Sequence, residues 1–361
     1  MIGPDSLAVR TRLRLHAEVL EGLSAIRAET AALQGLAVRC DAPVTACLPW
    51  VLASAEASLA MTTADRLWAL VLRDDEGLPR AAAVLLESWS PSGPVVRLAG
   101  AEGGYRTRLL AVDEDAAAAL AEALLARLRD RNTRVALSLG PLPSLDPVVE
   151  RLCMALQDWS IDGSAEVPVV RRSGPSEATE YLTPSVRRTL RKVSNRLRSD
   201  GVDSQIAFTR ERHRIIALLP HMGLAYRDRD EAHGVVDDGL DDAPGWPLFA
   251  ARMRTLAGQA GLEVGTLTLD GQLAAYVVGF DDGRSYRVMD GRFVSAWGRY
   301  SPGRLLETAV LQRMIDDPSK QTLDWMTSIA PESLLVANAA EPVVALRAQV
   351  LPYSSSIAHS R

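Results

Sequence analysis

The sequence predicts an α/β protein, α+β in arrangement, made of two similar units in tandem, each a mixed, mostly antiparallel sheet flanked by helices. Its 361 residues suit two cores better than one. Two β-hairpin signals recur along the chain. In the first, "RLWALVL" (66–72) and "AAAVLL" (81–86) flank the polar turn "RDDEGLPR"; in the second, "LEVGTLTL" (262–269) and "QLAAYVVGF" (272–280) flank Asp270-Gly271, the strongest short hairpin signal. The segments downstream of the two hairpins are also alike. "RLAGAEGGYRTRLLAVDEDAAAALAEALLARLRDRNTRVALSL" and "RVMDGRFVSAWGRYSPGRLLETAVLQRMIDDPSKQTLDWMTS" each read as strand, Gly-containing loop, Tyr, Leu-Leu pair, helix and strand. Gly77 and Gly271 lie 194 residues apart and Tyr105 and Tyr300 lie 195 apart, so the repeat keeps its register over this stretch.

Taken in order, Val9, Thr11, Leu13 and Leu15 alternate with arginines, which predicts a strand over 9–15. Leu20, Leu23, Ile26 and Leu33 recur at helical intervals, so a helix is expected from Ala17 to about Leu36, broken by "CDAPVTACLPW". After the first repeat, Ser173-Gly174-Pro175-Ser176 marks a linker near 170–180 and divides the chain into units 1–172 and 173–361. A basic helix follows from Pro184 to Arg198, with Leu190, Val193 and Leu197 on one face and Arg187, Arg188, Arg191, Lys192, Arg196 and Arg198 on the other. Between Tyr226 and Trp246 an acidic polar loop is expected, suited to steering a cationic amine or simply to standing in solvent.

Composition narrows the function. A net charge of −5 argues against nucleic-acid binding by the whole surface and leaves only a focal polyanion site. Three scattered cysteines, Cys40, Cys47 and Cys153, form neither a disulfide framework nor a zinc motif, and "DDGLDD" lacks calcium-loop spacing, so no metal is expected. With no signal-peptide pattern and no apolar run long enough to span a bilayer, the expectation is a cytoplasmic protein without membrane insertion. The oligomeric state is not set by the sequence. The histidines are scattered, and "HRIIALLPH" reads as a helix near the core rather than part of a nucleophilic triad.

The turn "RYSPG" is the sharpest chemical signal. Ser301 suits an N-cap, Pro302 the first helical position and Gly303 a close approach of ligand to backbone, and the free N–H groups of a helix start favour an anion. Ser-Pro is also an ordinary way to begin a helix. The matching "YRTRLL" lacks both Pro and Gly, so the first unit is expected to be the degenerate, structural copy.

With "LTPSVRRTLRKVSNRL" (182–197), "GTLTLDGQLAAYVVGF" (265–280), "RYSPGRLLE" (299–307) and "LDW" (323–325) in this order, the chain resembles the GNAT acetyltransferase superfamily, in its CelD-like branch related to the tandem-GNAT FemAB peptidyltransferases. The resemblance implies two GNAT folds, with acetyl-CoA or another acyl-CoA held by the second through Arg299, Ser301, Pro302, Gly303, Arg304 and Leu305, and a small-molecule amine as acceptor. Under that layout Asp290 and Asp324 flank the site as candidate bases, and Tyr300 is a candidate proton donor to the leaving thiolate. Alternatives stay open: Fem-like transfer of an aminoacyl group from tRNA, or a non-catalytic scaffold. The usual phosphate loop has two small residues where Arg299 is followed here by Gly303 alone. The family's closing Arg-Gly-Asp/Glu and Tyr-Lys are replaced by "MTSIAPESLLVANAA".

Overall fold

The computed structural model describes residues 14–62, 65–101, 104–163, 165–174, 176–232, 245–259, 261–326 and 337–353. The first half runs β1 (His16–Glu21), α1 (Gly22–Ala28), α2 (Thr30–Arg39), α3 (Leu48–Met61), β2 (Arg66–Arg73), β3 (Pro79–Ser90), β4 (Gly93–Leu98), β5 (Leu110–Ala111), α4 (Glu114–Arg129), β6 (Val135–Pro143), α5 (Pro147–Ala155) and β7 (Trp159–Asp162). β8 (Glu166–Arg171) follows, just before the linker, and the second half runs α6 (Ala178–Tyr181), α7 (Pro184–Asp200), β9 (Ser204–Thr209), α8 (Arg212–Ala232), α9 (Trp246–Leu256), β10 (Leu262–Leu269), β11 (Gln272–Asp282), β12 (Ser285–Phe293), α10 (Pro302–Asp316), β13 (Thr322–Asp324) and β14 (Ala339–Val350).

Both hairpins form as the turn chemistry demands. Asp270 and Gly271 have φ of 47° and 74°, the paired positive values of the tight turn that matches strand twist. The opening of the chain differs from expectation. Residues 9–13 lie outside the described residues, and the strand occupies 16–21, where it pairs antiparallel from His16↔Arg73 to Glu21↔Trp68. Glu29 then divides the expected long helix into α1 and α2. The helical spacing of Leu20 and Leu23 thus yielded to a partner strand far along the chain. Residues 226–232 of the expected acidic loop are the end of α8; residues 233–244 lie outside the described residues.

The strands form one 14-stranded sheet in the order β1-β2-β3-β4-β6-β14-β8-β13-β12-β11-β10-β9, with β5 on β3 and β7 on β14. Outward from its middle, the two halves mirror each other. In each, four antiparallel strands lead to one parallel pairing, β4 with β6 and β12 with β13. Each half then adds an antiparallel strand taken from across the linker: β14 pairs with β6, while β8 pairs with β13. β14 also pairs with β8, and this joins the two sheets.

The repeat holds for elements but loses register between tyrosine and helix. Pro302 opens α10 two positions after Tyr300, whereas α4 opens at Glu114, nine positions after Tyr105. "YRTRLL" is therefore not a helix start. Asp113 caps α4 instead, accepting from the Ala116 amide at 2.8 Å.

In the second half α7 and α10 cover one face of the sheet, and α8 and α9 cover the other. The apolar face of α10, Leu306, Val310, Leu311, Met314 and Ile315, is buried, at about 1.5–3 kcal/mol for each full burial. That anchoring fixes where the helix begins. Trp50 and Tyr105 of the first half pack into the α8–α9 core. Among the described residues no helix is long and apolar enough to cross a membrane.

Candidate functional site

β12 ends at Phe293, a 3-10 turn runs from Ser295 to Tyr300, and α10 begins at Pro302. Ser301 occupies the N-cap position but with φ 47° and ψ 52°, and its side chain makes no capping hydrogen bond. Its own amide donates to Gly298 O at 2.9 Å and its carbonyl accepts from Leu305 at 3.2 Å. Pro302 has no N–H, so the amides of Gly303 and Arg304 stand at the helix start with no acceptor among the described residues. A side chain at Gly303 would meet Phe293 Cδ1 at 3.5 Å, an ordinary contact. Packing therefore does not demand a glycine there, and the bare backbone leaves room for a ligand. Donors without an acceptor at the positive end of a helix dipole are of the kind that favours an anion.

The turn is braced from α7. Arg196 donates to the Arg299 carbonyl, and Arg299 reaches Asp200 at 3.3 Å while stacking 4.5 Å from the Tyr300 ring. The Tyr300 hydroxyl is buried, donates to Asp200 at 2.7 Å and accepts from Arg299. Burial first, then the Asp200 carboxylate, raises its pKa against the opposing pull of Arg299. Tyr300 thus ties α7 to the turn. Arg304 and Leu305 are half-buried on the first turn of α10. Further out on α7, the exposed Arg187, Arg188, Arg191 and Lys192 have no carboxylate partner among the described residues.

Asp290 stands on β12 beside a bulge. The pairing passes from Gly279↔Val288 to Val278↔Asp290, leaving Met289 as the extra residue that re-aims the strand. One carboxylate oxygen accepts from the Tyr276 hydroxyl at 2.6 Å and the other faces Arg292 at 2.8 Å. The Arg292 guanidinium lies 4.8 Å from the Tyr226 ring of α8. Burial first, then Asp290, pushes the Tyr276 hydroxyl well above its ordinary pKa. The Asp290 side chain is 8% exposed and has one cationic partner among the described residues.

Asp324 is placed differently. It is fully buried, with Oδ2 between Arg287 of β12 and Arg106 of the first half, the latter at 2.5 Å, and Oδ1 accepting from the Met326 amide at 2.8 Å. Arg106 also donates to Glu341 of β14, and Arg287 reaches Asp282 at 2.5 Å, which accepts from the Val44 amide of the first half at 3.1 Å. This chain of charges crosses between the halves where β12 and β13 pair for only three residues, Ser285↔Thr322 to Arg287↔Asp324. Asp290 and Asp324 therefore belong to two separate polar clusters.

Sequence reasoning missed Arg106, Arg287, Asp282 and Glu341, as well as Tyr276 and Arg292. No local pattern marks a pair 218 residues apart such as Arg106 and Asp324. Tyr276 and Asp290 were within reach, since strands joined by a hairpin put residues on a common face at predictable spacing.

Residues 184–332 match the profile of the Acetyltransferase (GNAT) domain. No curated protein sequence matches the chain. Among solved structures, FemX superposes with a TM-score of 0.57 at 9% identity, over 87% of this chain and 89% of its own. A conserved protein of unknown function from Bacteroides thetaiotaomicron gives 0.56 at 9% identity, over 89% and 96%. The C-terminal domain of a protein described as a lysylphosphatidylglycerol synthetase in Agrobacterium fabrum gives 0.54 at 11%, over 89% and 92%. At such identities the likeness is one of fold, and it extends over both halves. Residues 184–332 thus match a GNAT acetyltransferase domain, and the chain as a whole shares its fold with FemX and the other two structures over both halves.

Proposed function

We propose that the protein is an N-acyltransferase that moves an acyl group, acetyl first among the candidates, from coenzyme A to an amine of a small molecule or of an envelope or natural-product precursor. The observation that carries this reading is the pair of amides, Gly303 and Arg304, left without an acceptor among the described residues at the start of α10. They would hold the donor's pyrophosphate, with Arg299 and Ser301 at the rim and Pro302 and Leu305 fixing the turn. Two tasks then remain for side chains. An ammonium acceptor must lose a proton before its nitrogen bonds to the acyl carbon and the C–S bond breaks, the thiolate leaving with the electron pair. Asp290 suits the first task, because it has a single cationic partner among the described residues and stands next to the α8–α9 side of the sheet. Asp324, held between two guanidinium groups, and Tyr300, bridging Asp200 and Arg299, are read as supports. The second task is positioning, for which the bulge at Asp290 and the anchored helix supply rigid ground.

A second reading is transfer of an aminoacyl group from tRNA. It is favoured by the four cations, without a carboxylate partner among the described residues, on α7, the helix that braces the same turn. Calorimetry separates the two. Saturable acetyl-CoA binding with release of free thiol in the presence of amines supports acyl-CoA transfer. Aminoacyl-tRNA binding that weakens steeply with salt, without acetyl-CoA binding, supports the other.

A further inference from the structure

We propose that Arg106, from the half without an anion turn, is a positioning residue for the site in the other half, acting through Asp324; this rests on the acyl-transfer reading. Its loop occupies the place in the repeat where the second half makes its cradle, yet it reaches across. The Arg106 amide donates to Met326 O at 3.3 Å, its carbonyl accepts from Thr45 Oγ1 at 2.6 Å, and its guanidinium forks between Asp324 and Glu341. Backbone and side chain together bind the end of β13.

That end matters because the pairing of β12 with β13 stops at Arg287 and Asp324, and β12 runs on from there to Asp290 and the turn that opens α10. Arg287 ties Asp324 to β12, while Arg106 pulls the same oxygen toward the first half. The carboxylate is shared, so its place records the balance of two guanidinium forks, and the spacing of the strands follows it. A planar fork sets such a distance more sharply than a flexible ammonium does. Reaction geometry is sensitive at this scale: a misplacement of about 1 Å costs on the order of a hundredfold in rate.

The test uses the full chain with Arg106→Gln, Arg106→Lys and the milder Glu341→Gln, alone and with Asp324→Asn. Arg106→Lys should keep the fold yet lower kcat about tenfold with the donor KM changed by less than about threefold, as expected when orientation rather than binding is lost. The shape of the pH–rate profile should not move. In the Asp324→Asn background, Arg106→Lys should add nothing, since the pathway is already cut. The proposal is overturned if kcat stays within about twofold in both Arg106 variants, or if kcat and KM simply follow the melting temperature. Should the wild type transfer no acyl group from coenzyme A, the functional reading fails by itself, and amide hydrogen exchange then decides this one. Arg106→Gln accelerating exchange at 322–326 about tenfold more than at 262–269 upholds the clamp; equal acceleration overturns it.

Discussion

Tyr105 and Tyr300 occupy matching places in the repeat, and the chain does opposite things after each. After Tyr300 it turns within two residues into α10, exposing bare amides at Gly303 and Arg304. After Tyr105 it runs through Arg106, Thr107 and Arg108 to β5, and only then, capped by Asp113, begins α4. The strands before them differ in the same sense. β12 has a bulge and bears Asp290; β4 pairs with β3 without a slip from Leu85↔Leu98 to Ser90↔Gly93 and carries no carboxylate. One copy opens its backbone to solvent at this point, and the other uses the equivalent loop to hold its neighbour. Around the matching tyrosines, the difference between the two halves sits in a segment of a dozen or so residues.

The comparison breaks most decisively at Asp290. Asp290→Asn should lower kcat by roughly 10²–10⁴, measured by thiol release. An unchanged kcat would remove Asp290 from the role of base. Next comes Gly303→Glu, which puts a carboxylate where an anion is expected. It should weaken acetyl-CoA binding by about 3 kcal/mol, roughly a hundredfold in Kd by calorimetry, while thermal unfolding stays put because a Cβ there meets only Phe293 Cδ1, at an ordinary 3.5 Å.

The two helix starts give a smaller and paired contrast. Asp113→Ala removes a working cap and should cost about 1 kcal/mol in urea unfolding without touching donor binding. Ser301→Ala removes no capping bond and should stay within about 0.5 kcal/mol. Equal costs at the two positions would mean that the turns are built alike after all.

The gentlest probe is pH, read at Glu341 beneath the Tyr105 loop. Burial pushes its pKa up, but the hydrogen bonds and charges of Arg106 and then Arg171 prevail and hold it below the ordinary 4.5. A group depressed on folding contributes stability above its unfolded value and loses it as pH falls through the folded one. Urea midpoints should therefore fall below about pH 4.5 by a part that Glu341→Gln removes. A wild type and variant that decline in parallel would exclude the carboxylate as the cause.

The sequence made legible whatever is settled by neighbours in the chain. The Asp270-Gly271 hairpin declared itself through the backbone angles it requires, and α7 through Leu190, Val193 and Leu197 on one face with cations on the other. α10 was visible for the same reason, though the left-handed backbone of Ser301 was not. The features that stayed hidden depend on partners far away. β1 displaced the front of an expected helix because β2 was there to receive it. The Arg106–Asp324–Arg287 cluster has no local trace, since its members meet only after two halves of the chain have folded together.

The exchange of β8 and β14 bears on how the molecule is made. As the chain leaves the ribosome, β6 (Val135–Pro143) emerges long before β14 (Ala339–Val350), its neighbour in the finished sheet. Until then one side of β6 is an open strand edge, the sort of surface that invites mispairing. The first half must therefore wait for the second to be synthesised before its sheet is whole, and each half comes to maturity only as the other does.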